Sequence, residues 1–238
     1  MYKKITHTIV EEHFDHPEAL RMKSRLDCYP VTTSTTTTPP PAMMMHTEAA
    51  THLTTAAHKL LGNYVQRIRS HIVSILDSAA DTAAIEEQLT KDTAAIGDVV
   101  RAYYGSPAGE EVGMYLKKIA LGIADVARAV KSGKNIDDLK TNLLRDVEFF
   151  ATLLQGANPM YWPAPAVRDL LTQAVDAWVA QIQARERKQW AEDIAIADRI
   201  INIFTGTGMG NDVVDFAKTF AEGIIKQFPE KFGTLKPM

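Results

Sequence analysis

The sequence predicts an all-α protein: an up-and-down bundle of about six helices, preceded by an extended N-terminal arm. Apolar residues recur at every third or fourth position over most of the chain after residue 46, which is the period of an amphipathic helix. The connections between these stretches are short, and short connections favour antiparallel neighbours. After residue 45 no alternating pattern is strong enough to predict a strand.

The longest helical stretch extends from about residue 165 to residue 204 and predicts one long helix. A continuous helix of that length would extend for roughly 60 Å. The charged run from Arg185 to Gln189 interrupts its apolar stripe. The helix therefore either carries a polar belt at this point or bends there.

The remaining helices are bounded by ordinary start and stop signals. Gly105 and Pro107 separate the second helix from the third, Gly133 is placed to end the third, and Asn135 is placed to cap the fourth. Pro229 ends the last helix. The predicted ranges are about 47–78, 82–104, 106–132, 135–156 and 211–228.

Residues 1–45 are predicted to form an arm that is distinct from the bundle domain, residues 46–238. Alternation over residues 5–10 predicts a short strand, and residues 15–26 a short helix. Residues 31–41 have the sequence VTTSTTTTPPP, a low-complexity linker. Ordering a chain costs about 1–2 kcal/mol per residue in backbone entropy, so we expect the arm to be held by its own bundle or by a neighbouring subunit.

Composition limits the classes of protein and partner. The net charge of −3 comes from acids and bases mixed along the chain, which favours neither nucleic acid nor a membrane as partner. A single cysteine, Cys28, excludes an intrachain disulfide. We expect a soluble, intracellular (cytoplasmic) protein without a membrane span; a protein packaged into a particle such as a virion would have the same composition.

The arm also contains potential metal ligands. His13 and His16 stand three residues apart among acidic residues, a ligand set that zinc accepts. His46 follows three methionines, whose thioethers suit copper(I). These histidines are the candidate metal site, and we expect a second subunit to complete it.

Several enzyme classes are disfavoured. All seven histidines lie between residues 7 and 71, whereas a di-iron bundle needs Glu-x-x-His on two helices. An enzyme would need a buried polar pocket, for which the candidates are Tyr64, Arg69, Glu148 and Asp176. The basic clusters 66–69 and 185–188 are too short for a nucleic-acid face and predict solvated helix faces or salt links between helices.

Several runs of residues resemble an uncharacterised family of mainly bacterial helical-bundle proteins. They are AIGD at 95–98, AYYG at 102–105, EFFA at 148–151 and, most specifically, GIIKQFPEKF at 223–232. The resemblance covers about residues 60–232 and implies a helical bundle without an established activity. It also implies interior histidines and an Asp-His pair, where this chain has Asn63-Tyr64, Ile119 and Ala174, so metal chemistry of that kind would be lost.

The resulting hypothesis is a non-enzymatic structural or interaction protein. We expect a homo-oligomer, with an arm-exchanged dimer as one form, and apolar surface on the long helix that could serve a partner helix. The alternative is a metal-binding or metal-storing protein that holds zinc or copper through His13, His16 and His46.

Overall fold

The computed structural model describes residues 47–206 and 215–233, which form seven α-helices and a short 3-10 helix and contain no strand. The predicted all-α class is confirmed for this part of the chain. The predicted arm strand, arm helix, Thr/Pro linker and Cys28 lie outside the described residues. The helices are α1 (Glu48–Asp77), α2 (Thr82–Tyr104), α3 (Ser106–Lys131), α4 (Asp137–Ala157), α5 (Ala164–Glu186), α6 (Trp190–Thr205) and α7 (Phe216–Gln227), followed by the 3-10 helix Pro229–Lys231.

Contacts between consecutive helices show that the bundle runs up and down. On α1 and α2, Arg67 Nε lies 3.1 Å from Asp92 Oδ2 and Ser74 Oγ lies 2.6 Å from Thr82 Oγ1. A higher residue number on one helix thus meets a lower number on the next, as antiparallel neighbours require. Three further pairs of consecutive helices have the same reversed order. Helices α2 and α3 are joined by Gly97 with Gly109 and by Thr93 with Gly113. Helices α4 and α5 are joined by Lys140 with Asp176 and by Glu148 with Arg168, and helices α5 and α6 by Gln181 with Asp193 and by Trp178 with Phe204.

Helices α1 and α3, which are separated by α2 in the chain, contact each other directly in the core and run in the same direction. Tyr64 on α1 donates a hydrogen bond from its hydroxyl to the Leu116 carbonyl on α3 at 2.9 Å, and Lys131 of α3 donates to the Ile75 carbonyl near the end of α1. These pairs keep the same order on both helices, so α1 and α3 are parallel. Burying the phenol with a hydrogen-bond partner avoids the penalty of an unpaired polar group.

An aromatic cluster joins the end of the chain to the bundle. The Trp162 ring stacks on Phe220 with centroids 5.0 Å apart, and Tyr104 meets Phe228 edge-on at 5.2 Å. A Cβ atom on Gly223 would lie 2.3 Å from Trp162 Nε1, so only glycine fits there. The run at 223–232 therefore packs α7 and the 3-10 helix against the ends of α2 and α4.

The predicted long helix is two helices. α5 ends at Glu186 and α6 begins at Trp190, so of the two sequence-based alternatives the chain breaks at the charged run. Lys188 has a φ of 60°, and hydrogen bonds from Lys188 N to Arg185 O and from Gln189 N to Ala184 O complete a Schellman motif. The single continuous helix was wrong because the left-handed residue here is lysine, whereas the usual sequence signal for this stop is glycine.

Other boundaries agree more closely with the prediction. Gly133 has a φ of 63° and closes a Schellman motif after α3, and the Asn135 side chain accepts a hydrogen bond from the Asp137 N–H at 2.6 Å. α7 begins at Phe216 with Asp215 as its cap, later than the predicted start at residue 211. Residues 207–214 lie outside the described part of the chain.

We predict that Lys188→Gly stabilises the protein by about 0.5–1 kcal/mol. A left-handed backbone conformation costs a non-glycine residue about 1–2 kcal/mol, and glycine avoids this cost. Part of the gain is lost because glycine has more conformational entropy in the unfolded chain. Gly133→Ala is the matched control. A Cβ there meets no atom within 4 Å, so it should destabilise through the backbone alone by about 1 kcal/mol. Urea unfolding followed by circular dichroism measures the free energy of unfolding of both variants. Equal changes of the same sign would contradict a left-handed backbone at Lys188 and Gly133.

Candidate functional site

A buried carboxylate joins three helices near the break between α5 and α6. Asp193 of α6 is 2% exposed. Its Oδ1 accepts hydrogen bonds from Arg69 of α1 at 3.0 Å and from Gln181 of α5 at 2.9 Å, and its Oδ2 accepts one from Arg185 of α5 at 3.1 Å. The carboxylate is thus fully hydrogen-bonded by two cations and an amide, as a buried charge must be.

The network continues from Asp193 to the surface. Arg185 also donates to Asp77 at the end of α1 at 2.8 Å, and its guanidinium lies 5.4 Å from the centre of the Trp190 ring. This cation–π contact attracts the indole ring to Arg185, whose guanidinium is hydrogen-bonded to the carboxylates of Asp77 and Asp193. Trp190 therefore contacts this network although it is 50% exposed.

Trp190 begins an exposed face on α6. Ile194, one turn further along, is 54% exposed. Ala191, Ala195 and Asp198 are also exposed, and at 100° per residue all of them lie on one side of the helix. We call Trp190, Ala191, Ile194, Ala195 and Asp198 the α6 face; it combines large and small apolar residues with one acid.

We predict that Asp193→Asn destabilises the protein by about 3 kcal/mol, because removing one partner of a buried pair leaves uncompensated charge. Arg69 and Arg185 lose their common anion in this variant. Asp176→Asn is the control, since Asp176 pairs with Lys140 on the surface and is 51% exposed; it should change stability by less than about 1 kcal/mol. Chemical unfolding measures both, and equal losses would contradict a structural role for Asp193.

The four residues proposed for a polar pocket do not come together. Tyr64 is 1% exposed in the core, and burial raises the pKa of its phenol, so that the hydroxyl stays protonated. Asp176 and Glu148 are on the surface of α5 and α4. Their partners are all different: Leu116 O for Tyr64, Asp193 for Arg69, Arg168 for Glu148 and Lys140 for Asp176.

The two basic clusters supply salt links between helices, as one of the sequence-based alternatives predicted. Arg67 bonds Asp92 on α2, and Arg69 bonds Asp193 on α6. Arg185 bridges Asp77 and Asp193. Of the cluster at 185–188, the residues after Arg185 are exposed.

His71 is a buried histidine without a hydrogen-bond partner. It is 1% exposed, neither ring nitrogen is hydrogen-bonded, and Nε2 lies 3.7 Å from Glu86 Oε2. Burial and the nearby Arg128 lower the pKa of His71, despite Glu86 and Asp125. The imidazole is therefore held in its neutral form.

His58 has the opposite surroundings. Its Nε2 lies 2.8 Å from Asp215 Oδ2, and its Nδ1 lies 2.8 Å from the Thr54 carbonyl. Burial alone would lower the pKa of His58 and Lys218 adds to that effect, but the bonds to Asp215 and Thr54 raise the pKa above 6.5. With both nitrogens facing acceptors, the imidazolium ties α1 to the cap of α7.

We predict opposite pH dependences for these histidines. The His58 contribution is fully present below its unfolded pKa of 6.5 and is lost as pH rises through the higher folded pKa. The loss of unfolding free energy caused by His58→Gln, relative to the parent protein, should therefore be largest at acidic pH and should decrease above neutrality. His71 contributes above pH 6.5, and that contribution is lost as pH falls through its lower folded pKa, so His71→Leu should lose less stability on acidification than the parent. Unfolding free energies of His58→Gln, His71→Leu and the parent protein, measured across pH, test both predictions. A difference from the parent that does not change with pH would contradict the pKa shift of that histidine.

The candidate metal ligands are outside the described residues. His13, His16 and His46 precede residue 47, so zinc or copper binding by the arm stays a prediction. Within residues 47–206 and 215–233, no group of three or more histidine, cysteine, aspartate or glutamate side chains is placed to hold a metal ion. The same residues contain no helix with the length and hydrophobicity of a membrane span.

In comparison with known proteins, no family model, curated protein or solved structure matches this chain. The resemblance to bacterial helical-bundle proteins accordingly stays a prediction. What the described residues define is a class, an up-and-down helical bundle braced by a buried ion network.

Sequence reasoning missed Asp193, Gln181 and the pairing of His58 with Asp215. One signal was available for Asp193: it lies on the stripe that α6 buries, with Ala197, Ile200 and Phe204. A charged residue at an apolar position of a helix indicates a buried partner. No sequence pattern links His58 to a residue 157 positions later.

Proposed function

We propose that the protein is a non-enzymatic interaction protein, which assembles or binds partner proteins through its N-terminal arm and the α6 face. The observation that carries this proposal is the exposure of Trp190 and Ile194 next to a buried ion network. Tryptophan and arginine are the residues most enriched where interfaces gain their binding energy. An aromatic ring already held by Arg185 loses little freedom when a partner covers it.

The polar side chains of the bundle support the same proposal. Arg69, Glu148 and Asp176 are engaged in separate ion pairs that link helices. An active site instead brings such groups to one cavity, where a reacting atom can lie near several of them. Here the same groups brace the bundle, which then serves as a rigid support for its surface.

The role of the arm rests on its sequence. The linker at residues 31–41 is too poor in apolar side chains to form a core, and Ile5, Ile9 and Val10 earlier in the arm are candidates for an anchor. An extended segment of this kind binds by contributing backbone hydrogen bonds and a few apolar side chains to another surface. The arm-exchanged dimer is one form that such binding would take.

We predict that replacing Ile5 and Ile9 with serine in the full chain weakens self-association by about tenfold or more, since an aliphatic side chain that a partner covers contributes about 1.5–3 kcal/mol. Replacing Thr35 and Thr37 with serine is the control within the linker. Sedimentation velocity over a range of concentrations gives the association constant.

The same measurement distinguishes the metal-binding alternative. Association through the arm's apolar residues should be unaffected by a chelator. If the chelator abolishes it and zinc or copper restores it, the metal-binding function through His13, His16 and His46 is favoured instead. Equal association by the Ile5/Ile9 variant and the parent would contradict the arm as anchor.

A further inference from the structure

We propose that the α6 face is a homodimer interface, at which α6 packs antiparallel against α6 of a second copy of this chain around a two-fold axis near residue 193. This deepens the proposed function and rests on it, because it names the partner of one surface. The inference follows from the self-complementary order of residues along α6 and from the fixed position of Trp190.

The apolar centre of the face has the shape that such packing needs. Ala191 and Ala195 are one turn apart and exposed, and small side chains let two helix backbones approach closely. Trp190 and Ile194 flank them and are 50% and 54% exposed. In an antiparallel pair, the Trp190 ring of each copy lies over Ala195 and against Ile194 of the other.

The exposed charges at the two ends of the face are complementary to themselves in reverse order. Lys188 lies in the turn that precedes α6, while Asp198 lies on the face about 12 Å beyond the start of the helix at Trp190, and both are exposed. An antiparallel copy brings Lys188 of each chain next to Asp198 of the other. A parallel copy would instead bring like charges together, which disfavours that orientation.

Two further features are consistent with this orientation. Among the described residues, none of the charged side chains at 186–188 or 198–199 forms an ion pair within its own chain. Glu192, which would repel its equivalent near the axis, lies roughly 160° around the helix from Trp190 and so is off the contact.

The size of the face sets the expected strength of the dimer. α6 has 16 residues, or about 24 Å of helix. Two such helices bury less than the roughly 1,600 Å² of a standard interface. We therefore expect a weak dimer with a dissociation constant of about 10–100 μM, strengthened where the arm adds contacts.

We predict that Trp190 becomes protected as the full chain dimerises. Trp162 and Trp178 are each 1% exposed, so iodide quenching of tryptophan fluorescence reports on Trp190. Quenching should fall as the protein is raised from about 1 μM to about 500 μM, in step with the mass from sedimentation velocity. Ile194→Glu should weaken dimerisation at least about tenfold. Met160→Glu is the control, because Met160 is 78% exposed and lies outside α6.

Charge reversal tests the orientation. Lys188→Glu and Asp198→Lys should each weaken the dimer by about tenfold, since every pair occurs twice in a two-fold dimer, and the double variant should restore it to within about twofold. Both residues are exposed, and unchanged circular dichroism spectra would show that the fold is retained.

Three results would overturn the inference. One is a monomer at all concentrations with Trp190 quenchable throughout, which leaves the face to a different protein. Another is a monomer in which Trp190 is always protected, which makes a segment of the same chain the occupant. The third is a dimer that Ile194→Glu weakens no more than Met160→Glu. If that dimer is lost when Ile5 and Ile9 are replaced, the arm proposal stands alone. If instead Ile194→Glu abolishes dimerisation and replacing Ile5 and Ile9 leaves it unchanged, the arm proposal fails and this one stands.

Discussion

The end of the bundle at which α5 turns into α6 depends on one buried carboxylate. Asp193 receives hydrogen bonds from Arg69, Gln181 and Arg185, on two other helices. An isolated charge in such surroundings is costly, so each donor must be in place before α6 can pack with this residue inward. The geometry of the exposed side of α6 follows, because fixing which residue faces inward also fixes which residues face outward.

The break between the helices and the ion network act together. A Schellman turn at Lys188 lets the chain reverse, so that Gln181 and Arg185 before the turn reach Asp193 after it. The same Arg185 lies against the ring of Trp190. The left-handed backbone at Lys188, the buried charge of Asp193 and the exposed ring of Trp190 are thus parts of one local structure. The proposed interaction surface therefore begins at a side chain that the ion network contacts.

Most of the fold could be predicted from sequence because helical periodicity is local. The stripes of α1 to α4 are strong, and glycine and asparagine at Gly133 and Asn135 mark ends by their own conformational preferences. The break at residues 187–189 was only partly predictable. Its polar run was visible, but lysine in left-handed backbone gives no signal, since tertiary packing imposes that conformation against the residue's preference.

The sequence by itself determined the class of the protein and the up-and-down order of its helices, because both follow from residue spacing. Only the tertiary structure decided which polar residues are partners. It placed Asp193 with Arg69 and His58 with Asp215, and it separated Tyr64 from Asp176. Such pairings join residues far apart in the chain, and their choice depends on how helices rotate about their axes when their apolar stripes are buried together.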